Sequence, residues 1–161
     1  MPSTNPILEI FAEHEVRHFS AGEVIMAEGA RSGRILVLIE GAIEVAKGDV
    51  RIDYVTEPGA VFGEIAALLS IGHSADVRAA ADSRLFVIED PRQFLVEHPE
   101  FHLHVSELLA RRVNNLVGYL GDVKRQYEGH DHLGMVDQVL ESLILRQPRT
   151  RKVNPLPPEE M

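Results

Sequence analysis

The residues best suited to chemistry form one stretch, Pro58-Gly59-Ala60-Val61-Phe62-Gly63-Glu64-Ile65-Ala66-Ala67-Leu68-Leu69, continued by Gly72-His73-Ser74-Ala75-Asp76-Val77-Arg78-Ala79. A strand ending at Gly59, a turn at Gly63 and about one helical turn from Ile65 to Leu69 are predicted there, ahead of a further strand. A helix that starts behind a glycine turn presents unpaired backbone N–H groups and the positive end of its dipole, which together suit a phosphate. The chemistry in prospect is the holding of a small anion. Bond-making chemistry has no comparable signal. The chain has no cysteine, which excludes thiolate zinc sites, disulfides and cysteine nucleophiles. No nucleophile, base and acid set, phosphate loop or dinucleotide fingerprint is recognisable, so no enzyme is expected. The histidine pairs His98 and His102, His102 and His104, and His130 and His132 around Asp131 invite a metal reading. Pro99 interrupts the first pair and no further ligand converges on any of them, so solvated histidines are expected. The strand-borne histidines and glutamate of metal-dependent cupins are not matched either, because these pairs fall in helical or loop segments.

Positioning such a cradle requires strands, and the chain reads as strand-rich from 19 to 89. Val, Ile, Leu and Phe alternate there with Gly22, Gly29, Gly33, Gly41, Gly48, Gly59, Gly63 and Gly72, the texture of short strands and turns in an all-β sandwich or barrel. Ile35, Val37, Ile39, Ile43 and Val45 keep the period of two expected of strands with one buried face. Lys47-Gly48-Asp49 reads as a hairpin turn. Residues 5–18 carry Ile7, Leu8, Ile10, Phe11 and Val16 at roughly helical spacing, which predicts a short amphipathic helix. Beyond the strands, Asp90 as N-cap, Pro91 at the first helical position and Gln93 as capping-box partner open a helix. Pro99-Glu100 restarts it as a longer helix to about Gln126. After a break at Glu128-Gly129-His130-Asp131-His132, a last short helix gathers Val136, Val139, Leu140, Leu143 and Ile144 on one face. The tail is polar and proline-rich, and disorder is expected in it.

The ordered set Gly22-Glu23-Val24-Ile25, Glu28-Gly29, Gly41, Pro58-Gly59, Phe62-Gly63-Glu64 and Ser74-Ala75 resembles the cyclic nucleotide-binding domain family, including its catabolite-activator-type (Crp-Fnr) sensor domains. The resemblance runs from about Phe19 to Asp90. It implies a mainly β fold, an eight-stranded jelly-roll barrel flanked by helices, with a phosphate-binding cassette inside it. By this resemblance Glu64 accepts hydrogen bonds from a ribose 2′-hydroxyl. The backbone N–H groups near Gly63, Ile65 and Ala66, with the hydroxyl of Ser74, face the cyclic phosphate of cAMP or cGMP. Phe62, His73 and Ala75 complete the candidate set. Structural roles stay open to the same side chains, Glu64 as a helix cap and Ser74 as a turn residue.

One position departs from the family. An arginine usually precedes the serine, and here His73 stands in its place. A neutral imidazole replaces a charged bidentate fork, a loss of roughly 1.5–3 kcal/mol or about ten- to a hundredfold in affinity, part of which protonation at acid pH would restore. Arg78 lies roughly 16 Å further along an extended strand at about 3.3 Å per residue, too far to substitute. Arg31 and Arg34 on the neighbouring hairpin stay open as replacements. A weakly bound cyclic nucleotide, another small anion and no ligand are the alternatives. Tyr119 or Leu120 could cover a purine, with core or dimer packing as the other role.

A chain of 161 residues accommodates one compact domain and an appended element. The expected division is 1–126 for a jelly roll with a long helix at about 100–126, 127–146 for the short helix and 147–161 for the tail. With 45% hydrophobic and 25% charged residues the composition is that of a soluble globular protein. A net charge of −9 opposes a polyanionic partner. The tail-borne cluster Arg146, Arg149, Arg151 and Lys152 is too slight, and the segment after the long helix too short, for the helix-turn-helix module of the family's transcription factors, so direct DNA binding is not expected. No basic, apolar leader opens the chain and no apolar run reaches the roughly 18 residues of a membrane span, so a cytoplasmic protein without a membrane partner is expected. Leu109, Val113, Leu116, Leu120 and Val123 follow spacings of four and three, the seam of a coiled coil, which either a parallel homodimer or the chain's own barrel would cover. The reading is a stand-alone regulatory module that senses a small anionic ligand and signals through an unidentified effector protein. The alternative is a ligand-free structural or dimerisation module with a degenerate cassette.

Overall fold

The computed structural model describes residues 5–126 and 134–144. The strands are β1 (Val16–Phe19), β2 (Val24–Met26), β3 (Ile35–Glu40), β4 (Ile43–Lys47), β5 (Val50–Val55), β6 (Val61–Phe62), β7 (Asp76–Ala79) and β8 (Ser83–Ile88). They form two antiparallel four-stranded sheets, ordered β1-β8-β3-β6 and β2-β7-β4-β5. This is the mainly β roll with flanking helices that the resemblance implies, and the short strands between glycine turns are those that the glycine-punctuated pattern predicts. Met26, Leu36, Leu38, Ile43, Phe62, Val77, Leu85 and Val87 from both sheets fill its interior. The hairpin turn at Gly48-Asp49 is as predicted, with Lys47 paired to Val50 across it.

β3 departs from the expected single buried face. Leu36 and Leu38 join the interior, while Ile35 and Val37 are equally buried. Alternation puts Ile35 and Val37 on the opposite face, where Phe86, the register partner of Val37, stacks on Phe11 at 5.0 Å between ring centroids. A helical layer covers that side. Phe94 stacks on Phe11 at 5.1 Å and Phe101 meets it edge-on.

The helix predicted over 5–18 is a single short one, α1 (Pro6–Glu9), capped by the Asn5 side chain, which accepts from the Ile7 N–H. Two competing gains end it. Phe11 is completely buried in the aromatic layer, and Val16–Phe19 pairs along β8, where every ladder bond would be forfeited by a continued helix. The strand predicted to end at Gly59 ends at Val55, and Gly59 lies in the turn before β6.

The cassette helix α2 (Glu64–Leu69) follows β6 directly. In α3 (Pro91–Glu97) the Asp90 side chain accepts from the Gln93 N–H as expected. Gln93 does not close the reciprocal half of a capping box; its side chain donates to Glu97 one turn on, at 2.9 Å. The long helix α4 (Pro99–Gln126) and the last helix α5 (Gly134–Ile144) complete the elements.

The chain divides into two compact units, Met1–Glu107 and Leu108–Met161. The first holds the roll and its aromatic cover, including buried Phe101 and Val105 from the start of α4. In the second, Val113 and Leu116 are each 45% exposed, Leu109, Leu120 and Val123 are half-buried, and Lys124 pairs with Asp137 of α5. The break at 128–132, the basic cluster and the proline-rich tail lie outside the described residues.

Candidate ligand site

The cassette begins where β6 delivers Phe62 into the core and the chain turns at Gly63. Gly63 has φ +85, and a Cβ there would lie 2.6 Å from the carbonyl oxygen of Arg34, so only glycine lets the turn close against the start of β3. No side chain caps the N-terminus of α2. Glu64, its first residue, is 4% exposed, Ala66 is buried and Ile65 is 43% exposed. Ser70 closes the helix in a left-handed conformation, its N–H donating to the Ala66 carbonyl. Arg92 of α3 reaches back and donates to the Leu68 carbonyl at 2.8 Å, tying the last turn of α2 to the following helix.

The second half of the candidate set leads into β7. His73 is 6% exposed and Ala75 is buried, while Ser74 between them is exposed. The His73 N–H donates to the Ala30 carbonyl (2.9 Å), its carbonyl accepts from the Gly29 N–H (2.8 Å), and its Nε2 is 2.7 Å from the Ser32 hydroxyl. The same segment is pinned once more where the Glu28 N–H donates to Asp76 at 2.6 Å. Burial holds the His73 imidazole below the ordinary histidine range, so mild acid is less effective in charging it than its sequence suggests.

Of the arginines weighed as replacements, Arg34 is ion-paired with Glu89 at 2.8 Å. Arg78 projects from the face of β7 opposite core residue Val77 and lies 3.7 Å from Asp76. Arg31 is exposed in the loop beside His73. The structure thus gathers Phe62, Gly63, Glu64, Ile65 and Ala66 in one turn and helix, and His73, Ser74 and Ala75 in one segment laced to residues 28–32.

Ser32 and Arg92 are contributors that no local pattern announces. Ser32 is 41 positions from His73 and Arg92 is 24 from Leu68, and neither pair has a spacing signature. The expectation of solvated histidines needs correction for two of them. His98 stacks on Phe94 at 4.0 Å and bonds its carbonyl, and His104 is half-buried beside Phe101 with its Nε2 enclosed. The apolar faces of α3 and α4 that cover the roll draw these rings in with them; His102 remains exposed. Among the described residues no group of histidines and carboxylates could hold a metal ion, and no helix is long and apolar enough to cross a membrane.

Residues 16–95 match the cyclic nucleotide-binding domain family. The chain is 30% identical to a solved protein of a cyclic-GMP-dependent signalling pathway that regulates bacterial phytopathogenesis, covering 69% of this chain and 94% of that one with a TM-score of 0.59. The catabolite activator protein of Thermus thermophilus shares the fold at 20% identity, with 76% of this chain and 62% of that one covered and a TM-score of 0.64. The cAMP-dependent protein kinase regulatory subunit of Mycosarcoma maydis is 34% identical over 80 residues, 46% of this chain and 15% of the longer one. The chain spans between 15% and 28% of the length of the curated relatives it matches. With the family match, the roll and a 30% identical solved relative covered over 94% of its length in agreement, this chain belongs to the cyclic nucleotide-binding domain family.

Proposed function

We propose that this chain is a regulatory sensor whose cassette, residues 62–75, holds a cyclic nucleotide or a related small anion and whose helices pass the signal to an effector protein. The observation that carries this reading is Glu64. A helix cap needs only the surface, whereas this carboxylate stands at the first position of α2 and is 4% exposed. Burial fixes this acceptor at the head of the cassette, where the fold and not solvent sets its place. In the bound state Glu64 accepts from a ribose 2′-hydroxyl, while the N–H groups of Ile65 and Ala66 and the Ser74 hydroxyl donate to the phosphate. Relatives that work in a cyclic-GMP pathway and in a cAMP-dependent kinase support the ligand class. The ligand acts by favouring one placement of the cassette and of the helix after it, a population shift and not catalysis. Two copies associate through Leu109, Val113, Leu116, Leu120 and Val123.

A ligand-free scaffold has one observation in its favour: the His73 imidazole, at the position where the family places its phosphate-binding arginine, is buried and already bonded to Ser32. Calorimetric titration of cAMP and cGMP separates the two, run at about pH 6 and pH 7.5 on the wild type and on His73→Arg. The sensor reading expects saturable binding by the wild type, tightened about ten- to a hundredfold by the arginine. Silence in both proteins overturns it for cyclic nucleotides and leaves the scaffold or a different small anion.

A further inference from the structure

We infer that Arg31 supplies, from the loop beside the cassette, the positive charge that His73 does not, and so sets the preference of this site for an anionic over an uncharged ligand; the inference rests on the sensor reading above. Its first support is place. Ala30 and Ser32, the residues on either side of Arg31, both bond His73, one through its carbonyl to the His73 N–H and one through its hydroxyl to Nε2. The contact is close along its length. A Cβ on Gly72 would lie 2.7 Å from the Gly29 carbonyl oxygen, so the backbones meet there with no side chain between them. Arg31 is therefore held within one Cα step, about 3.8 Å, of two anchor points on the position from which the family's arginine acts. A long flexible stem ending in a planar fork covers the remaining distance to a phosphate beside Ser74, which is exposed.

The second support is availability. The other arginines of the segment matched by the family are engaged: Arg17 and Arg34 with Glu89, Arg51 with Glu44, Arg78 with Asp76, Arg84 with Glu40, and Arg92 with the Leu68 carbonyl. Arg31 is the exception; it is exposed and enters no ion pair or hydrogen bond among the described residues. Each of the others would forfeit a hydrogen bond or an ion pair to reach the ligand. Arg31 forfeits none, and its neighbours on both sides are already fixed, which reduces the ordering cost of binding.

The test is calorimetric titration of the full chain with cAMP, cGMP and uncharged adenosine, using the wild type, Arg31→Gln, Arg34→Gln and the double variant Arg31→Gln with His73→Arg. Arg31→Gln is expected to weaken the better cyclic nucleotide about ten- to a hundredfold, the worth of one charge-assisted bond, and to narrow its advantage over adenosine. Arg34→Gln leaves affinity within about twofold, its guanidinium being committed to Glu89. The double variant recovers the loss, because an arginine at 73 meets the same phosphate. Cyclic nucleotide binding that is equal in the wild type and Arg31→Gln overturns the role of Arg31 while the sensor reading stands. A wild type that binds neither nucleotide overturns the sensor reading for cyclic nucleotides and the role of Arg31 with it.

Discussion

An imidazole in place of a guanidinium ties the stability of this cassette to pH as well as changing its affinity. Burial alone pushes the His73 pKa down, so the folded chain takes up its proton at a lower pH than the unfolded chain, whose histidines titrate near 6.5. In the interval between those two values the unfolded state binds more protons, and stability rises with pH. The contribution is fully present above about 6.5 and is lost as pH falls through the folded value. Urea midpoints measured from about pH 7.5 to pH 5.5 should therefore fall more steeply for the wild type than for His73→Gln, since the other histidines are common to both. Parallel curves would show that the burial of His73 is not felt as a pH-dependent stability. The departure at residue 73 was legible in the sequence because the family's pattern fixes its neighbours Ser74 and Ala75. Its partner was not. Ser32 lies across the roll in sequence, and the choice between Arg31 and Arg34 turns on Glu89, which claims one of them from β8's far end.

Between elements, one side chain joins the cassette to the next helix. The exposed guanidinium of Arg92 in the first turn of α3 donates to the Leu68 carbonyl near the C-terminus of α2, where a helix leaves its carbonyls without intrahelical partners. A displacement of α2 is thereby passed to α3 through a bond as well as through packing. Arg92→Ala should cost about 1 kcal/mol, and the loss should be local. Native-state hydrogen exchange is expected to accelerate in α2 and α3 and to stay unchanged in β3 and β8, whose residues Leu38, Leu85 and Ile88 form the deepest core. A uniform change across the roll would make Arg92 a general stabiliser and not a link. The strand-rich stretch from 19 to 89, the hairpin at Gly48-Asp49 and the start of α3 at Asp90-Pro91 could be read from local pattern, because each is decided by neighbours in the chain, whereas β1 and the end of β5 at Val55 could not. The second buried face of β3 and the early end of α1 could not. Both depend on Phe11 stacking against Phe86 and Phe94, a meeting of three distant segments that leaves no period in the sequence.

At the scale of the whole molecule, the apolar stripe on α4 asks for a partner. Val113 and Leu116 are each 45% exposed and Tyr119 is 66% exposed, on a helix whose apolar spacing alternates four and three. Burying a full Val or Leu side chain is worth roughly 1.5–3 kcal/mol, so the unburied halves of these two residues, counted on both copies, represent a few kcal/mol of association. Charge works against it. Each chain carries −9, a repulsion between copies that added salt screens. Sedimentation equilibrium should find the wild type dimeric at micromolar concentration, with association tightening as salt rises from about 0.01 to 0.15 M, over which the Debye length shortens from roughly 30 to 8 Å. Leu116→Glu sets two carboxylates on the seam and should leave a monomer. Its cooperative unfolding should survive, because the roll and the Phe11 to Phe101 cluster lie in the first unit and contain no part of the stripe. A wild type that sediments as a monomer across that range would show that the stripe does not bind a second copy of itself, and would move the search for its cover to the effector protein.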